Sequence, residues 1–210
     1  TLLGDNSTLT DRFYATEMIL PSGVTPKMIG LTRNVNNFPS YFLLATDGNL
    51  YTMGMNNRKQ LGDGTTTNRF EWVQPQKPAS QGQGTGPLTN IAWISPNEHD
   101  GSNTPNGNSL APFPVLTNQG KLWAWGFNDN FMIGGPAAGV LYDPLYMPGG
   151  LDANDKITAV ETGGHTTMIW KDGGTKFGYV GHRINGSMAD GVVDSEIEPI
   201  YSFQTAEVDI

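Results

Sequence analysis

Three histidines, His99, His165 and His182, are the residues of this 210-residue chain best suited to proton transfer or metal ligation. Their spacing fits no zinc site, which needs ligands gathered in short paired spacings. His99 stands in the titratable run Glu98-His99-Asp100, and His165 follows Gly163-Gly164. Oxygen donors gather in Asn128-Asp129-Asn130 and in Asp152-Ala153-Asn154-Asp155. Either could reach a calcium ion, but neither has the EF-hand order with its distal Glu. Glu196 and Glu198 are two carboxylates ahead of a strand and read as a solvated face. The chain has no nucleophile motif and no Gly-x-x-x-x-Gly-Lys phosphate loop. These patterns point to binding rather than catalysis, with no cofactor and no metal centre expected.

The totals narrow the kind of binding. Twelve basic residues against 20 acidic ones leave a net charge of -8, whereas a duplex-binding surface needs clustered Lys and Arg to displace counterions. Nucleic acid is therefore not an expected partner. No run of 18 apolar residues is present, so no membrane insertion is expected, and the first ten residues lack the basic and apolar regions of a signal peptide. The absence of cysteine fits proteins that work outside a cell, and the expected setting is extracellular, on a cell surface or a virion. Only 15% of residues are charged, and 27 glycines and 14 prolines interrupt the chain too often for long helices. Many short strands are expected instead.

A repeat organises those strands. Leu3-Gly4-Asp5-Asn6, Leu61-Gly62-Asp63-Gly64, Ile133-Gly134-Gly135-Pro136 and Met188-Ala189-Asp190-Gly191 are separated by 58, 72 and 55 residues, counted from Gly4 to Gly62, Gly134 and Ala189. Eight residues before the last three landmarks stand Gly54, Gly126 and Gly181. Each is reached through a hairpin pattern: Tyr41 to Thr46, Asp47-Gly48, then Leu50 to Gly54; Phe113 to Thr117, a turn through Gly120, then Leu122 to Gly126; and Thr167 to Trp170, a turn from Asp172, then Phe177 to Gly181. An Asp-Gly pair between apolar runs is a strong hairpin signal. The third turn is longer and predicts a bulge.

A strand ahead of each hairpin is expected at Lys27 to Leu31, Ile91 to Ile94 and Ile157 to Val160, and one after each landmark at Ala15 to Ile19, Glu71 to Gln74, Leu145 to Met147 and Pro199 to Phe203. Quartets of short strands make the blades of an all-β propeller. Three to four antiparallel, four-stranded blades are predicted, in units 4–61, 62–133, 134–188 and an incomplete 189–210. Gly48, Gly54, Gly62, Gly120, Gly126, Gly134 and Gly181 are expected in turns and close approaches, with Asp63 and Asp172 as turn-stabilising carboxylates.

The run from Leu44 to Gly64, with its Asp-Gly turn, aromatic strand ending in Gly54, Asn56 two residues on, and Gln60-Leu61-Gly62-Asp63-Gly64, resembles a repeat of the regulator of chromosome condensation family. Leu122-Trp123-Ala124-Trp125-Gly126-Phe127-Asn128 follows the same pattern, and Gly163-Gly164-His165 is similar to the family's Gly-x-x-His. The resemblance implies a propeller usually of seven blades, so three to four blades leave open edges. Such edges invite a partner or self-association, and the chain is expected to be part of a longer polypeptide or to be covered by another copy or partner. The family's nucleotide exchange on a small GTPase relies on surface loops and a basic tail with no match here.

Two stretches lengthen the middle unit: 75–90, with Gln81 and Gln83, and 96–112, with Glu98, His99, Asp100, Asn103 and Asn106. Long loops in a compact repeat are functional or merely tolerated, and these residues are the binding candidates. Trp123 and Trp125, two apart on one strand face, could form a glycan platform or pack between blades, as could Trp72, Trp93 and Trp170. The function expected is a non-enzymatic binding or structural module for protein–protein contact or host-surface attachment, with glycan binding as the alternative and GTPase regulation less favoured.

Overall fold

A computed structural model describes residues 17–33, 39–96, 113–163, 165–172, 176–183 and 195–205. Sheet 1 joins β1 (Pro26–Arg33), β2 (Pro39–Ala45), β3 (Leu50–Gly54) and β4 (Arg69–Val73) in that order. A short excursion follows, with β5 (Gln76–Lys77), one turn of 3₁₀ helix and β6 (Gly86–Pro87). Sheet 2 contains β7 (Ile91–Ile94), β8 (Phe113–Thr117), β9 (Leu122–Asn128) and β10 (Val140–Tyr146). Sheet 3 contains β11 (Ile157–Gly163), β12 (Thr166–Lys171), β13 (Lys176–His182) and β14 (Ile197–Thr205). All neighbours are antiparallel. The chain is all-β, and its three quartets are propeller blades.

Stacking explains the composition of the strands. All seven residues of β9 are buried, because both faces of sheet 2 are covered, and a strand covered twice has no reason to alternate. One face supplies Val115, Trp123 and Trp125 to a core shared with Phe42, Leu44 and Leu50 of sheet 1. The other supplies Leu116 and Leu122 to a core shared with Val160, Ile169 and Val180 of sheet 3. Phe42 and Phe113 stack across the first joint with ring centroids 3.7 Å apart.

Sheet and sequence unit are out of phase. The Gly62 landmark falls between β3 and β4, and Gly134 between β9 and β10. A stretch such as 62–133 thus gives its first strand, β4, to sheet 1 and β7, β8 and β9 to sheet 2.

Two local expectations change and a third falls on residues not described. Glu17–Ile19 is irregular rather than a strand, and Ala15 lies outside the described residues; Trp72 Nε1 donates to the Ile19 carbonyl at 2.8 Å, so a side chain, not a strand ladder, ties this segment to sheet 1. The third hairpin pairs regularly from Thr166↔Gly181 to Trp170↔Phe177, and its turn at 173–175, where the bulge is expected, lies outside the described residues. β10 begins at Val140, five residues before the expected Leu145.

Candidate binding surface

Each sheet is fastened to the next by the turn and landmark residues. Gly48 has φ 82°, and its carbonyl accepts from Ile91 N at 2.9 Å. Gly120 repeats this one sheet later, with φ 73° and its carbonyl bonded to Ile157 N at 2.8 Å. Trp125 Nε1 donates to the Gln60 carbonyl at 2.9 Å, and a Cβ on Gly62 would lie 2.9 Å from the same indole. At the second joint, Thr167 Oγ1 bonds the matching carbonyl, Met132 O, at 2.5 Å, and Gly134 has φ 67°. Gly54, Gly126 and Gly181 have φ 112°, 100° and 110°.

The loops between third and fourth strands are folded by amides. Asn56 Oδ1 accepts from Leu61 N at 2.9 Å and Asn128 Oδ1 from Ile133 N at 3.0 Å. Arg183 takes that position in the third sheet and pairs with Glu196. Asp63 completes the first loop, with Oδ1 accepting from Thr65 N, Thr65 Oγ1 and Asn56 Nδ2 and Oδ2 from Arg69 Nε at 2.6 Å. Burial raises its pKa, but the bonds from Thr65, Arg69 and Asn56 outweigh that and hold it below the ordinary range.

The oxygen clusters are similarly occupied. Asp152 Oδ1 caps Asn154 N at 2.6 Å, and Asp155 pairs with Lys171 at 2.5 Å. Asn130 Nδ2 and His165 Nδ1 are 3.4 Å apart, and the rings of His165 and His182 meet edge on. Among the described residues no group of three or more His, Asp or Glu could hold a metal ion. Glu198 has its pKa raised by burial and by neighbouring Glu196. Asp172, at the third turn, is exposed and pairs with Lys156 at 3.0 Å.

The two long stretches leave sheet 2 at opposite ends. The excursion through 74–90 reaches β7 beside the Gly48 turn, whereas Pro96 and Phe113, which flank 97–112, lie at the far end, where Ser95 N bonds Pro114 O. Gln81 is not free for a ligand: its Oε1 accepts from Tyr146 N at 2.9 Å. Gln83 is exposed. Glu98, His99, Asp100, Asn103 and Asn106 lie outside the described residues. Leu88, from the same excursion, is buried in the first core, a role that one apolar residue in a Gln/Gly/Pro-rich run does not announce.

Of the tryptophans, Trp123 and Trp125 are core residues and offer no platform. Trp93 and Trp170 are 42% and 40% exposed, against the packing role their strand positions suggest. Other apolar side chains are uncovered on β1, where Ile29 and Leu31 stand out. A groove of about 780 Å³ lies there, lined by Met18, Ile19, Leu20, Met28, Ile29 and Leu43. The surface on offer is therefore sheet face, apolar and open.

Residues 47–92 match the regulator of chromosome condensation (RCC1) repeat. Among solved structures, human WBSCR16 is similar with a TM-score of 0.60 and 11% identity over 89% of this chain and 39% of that one. The structure of Kap60 bound to yeast RCC1 (Prp20) is similar with a TM-score of 0.57 and 15% identity, over 90% of this chain and 39% of that one. Prp20p from Saccharomyces cerevisiae, described with its binding to Gsp1p and histones, has a TM-score of 0.55 and 15% identity, over 89% and 40%. The likeness is one of fold, and the chain spans about two fifths of the length of these structures. No curated protein sequence matches. The chain thus carries an RCC1 repeat within an RCC1-like β-propeller fold.

Proposed function

We propose that this chain is a non-enzymatic protein-binding module, an arc of an RCC1-like propeller that receives protein partners on its open sheet faces. One observation carries the reading: the polar groups best placed for chemistry hold loops and join sheets, while apolar surface is left uncovered. Asp63 is tied to Arg69, Ser95 Oγ to Glu161 at 2.8 Å, and Asp155 to Lys171. Exposed apolar patches on otherwise polar surfaces mark interaction sites. The partners named with the yeast structures, Kap60 in one and Gsp1p and histones in the other, support protein binding as the class. An acidic, cysteine-free composition supports a setting outside the cell, on a surface or virion where the module mediates attachment.

The experiment is site-specific photo-crosslinking from Ile29, Trp170 and Gln83 in the 210-residue chain. Protein adducts are expected from the two face positions and not from Gln83. A glycan array is expected to be silent; saturable sugar binding lost on replacing Trp93 would move the reading to a lectin. The match to the RCC1 repeat favours one further reading, GTPase regulation, which accelerated nucleotide release from candidate small GTPases would establish in place of ours.

A further inference from the structure

One position, two residues past the strand-ending glycine, closes the loop between third and fourth strands in every sheet, and the third sheet uses different chemistry there. Asn56 and Asn128 are buried amides whose Oδ1 atoms take the backbone N–H groups of Leu61 and Ile133. A carboxamide does not titrate. In the third sheet the position two past Gly181 is Arg183, which is 8% exposed. Its backbone N donates to Glu196 O at 2.8 Å, and its guanidinium pairs with the Glu196 carboxylate. A cation withdrawn this far from water depends on such a partner.

A second carboxyl group joins the pair. Residues two apart in a strand share a face, so Glu198 stands beside Glu196, and the two side chains are hydrogen-bonded. Opposite Glu198 in the ladder is Gly181, which offers no side chain. Two carboxyl groups therefore share one guanidinium, an arrangement that favours a single proton between them. Glu198 carries that proton: burial and then the Glu196 charge raise its pKa, with Arg183 opposing. The other titratable groups on the described elements packed here are Tyr179, whose hydroxyl accepts from Arg183 at 3.4 Å, His165 and His182, whose rings meet each other, and Asp129 of the 3₁₀ turn against β13 and β14. Lys171 and Lys176 stand at the other end of the sheet. β13 and β14 pair in two stretches separated by a register shift, and the stretch beside Arg183 has only the rungs Gly181↔Glu198 and His182↔Ile197. So short a ladder leans on the side chains that flank it.

We propose that Arg183, Glu196 and Glu198 form a proton-operated latch, which holds the start of β14 to the end of β13 and loosens when Glu198 gives its proton to water. The latch goes beyond the binding reading above and does not rest on it. Glu198 holds its proton more firmly in the closed ladder than in the open one. Closure therefore gains from Glu198 fully below the ordinary glutamate value of about 4.3, and that gain is lost as pH rises through the raised value. Asp63 works in the opposite sense in sheet 1, because its pKa is lowered. Rising pH thus tightens the first loop and loosens the third.

Amide hydrogen exchange of the 210-residue chain, read residue by residue by nuclear magnetic resonance and corrected for base catalysis, tests this. The reporter is the Arg183 N–H, bonded to Glu196 O, and the reference is the Ile91 N–H, bonded to Gly48 O at the first joint. Between about pH 4.5 and about pH 7.5, protection of the reporter relative to the reference should fall about threefold or more, as the closed and open forms part with the proton. Glu198→Gln keeps a hydrogen bond to Glu196 in a group that cannot ionise, and should hold relative protection constant over that range. Near-ultraviolet circular dichroism checks folding, and Glu198→Ala, equally unable to ionise, takes its place if the signal is lost. His182→Asn should keep the slope of the parent chain. Relative protection that does not change with pH in the parent, a slope that survives the loss of the Glu198 carboxyl group, or one that vanishes in His182→Asn would each overturn the proposal.

Discussion

Replacing Gly54 with Ala tests the close approach on which the blade geometry depends. The residue has φ 112°, a region sparsely open to any side chain, and such strain costs about 1–3 kcal/mol. An added Cβ would also run into the carbonyl oxygen of Pro39 and stand 3.1 Å from Ser40 Cα. Neither can retreat freely. Pro39 O accepts from Met55 N at 3.1 Å, and Ser40, itself buried, donates to Met55 O at 2.8 Å. Forcing extra volume into a tight site adds about 1–3 kcal/mol, for a total of about 2–6 kcal/mol. Gly64→Ala is the control, because Gly64 has φ 80° with nothing within 4 Å of the added atom, which leaves about 1 kcal/mol of strain. With a urea slope of about 2 kcal/mol/M, Gly54→Ala should lower the unfolding midpoint by about 1–3 M and Gly64→Ala by about 0.5 M. Gly181→Ala, whose Cβ would meet His165 O, should follow Gly54→Ala. Equal midpoints for the Gly54 and Gly64 variants would refute the reasoning, since the Pro39 contact would then carry no energy.

Two further outcomes follow from buried bonds. Trp125→Phe keeps an aromatic ring but orphans the Gln60 carbonyl, and thermal melts should show a loss of about 1–3 kcal/mol; no loss would mean that water replaces the indole. Asp63 has its folded pKa lowered, so its contribution is fully present above the unfolded value near 4 and is lost as pH falls through the folded one. The stability gap between the parent and Asp63→Asn should therefore narrow on acidification from about pH 5, read by urea melts at each pH, and a gap independent of pH would contradict the bonding described.

Local chemistry made much of the fold legible. Asp47-Gly48 between apolar runs announced the β2–β3 hairpin, and the short run Ile91–Ile94 became β7 with those bounds. What escaped depends on neighbours remote in sequence. Trp170 and Leu116 occupy the same place in their hairpins, yet among the described sheets one lies over Leu116 and none over Trp170. Trp125 reads more readily as core than as platform, but its indole bond to the Gln60 carbonyl has no local signal. Asn128 looks like a cation ligand within its acidic run, but the backbone of its own loop claims its oxygen. Gln81 reads as a loop residue free to bind, and its cross-sheet bond to Tyr146 has no local signal.

The phase offset between repeat and sheet has a mechanical consequence. Because β4 comes after the Gly62 landmark while its pairing partner β3 comes before it, a cut in the backbone there severs a sheet internally rather than parting two finished ones. Excising one repeat would strip a neighbour of its outermost strand. Tension applied along the polypeptide must consequently break ladder hydrogen bonds before any blade can leave as an intact body, and adjoining blades should yield together instead of peeling off singly.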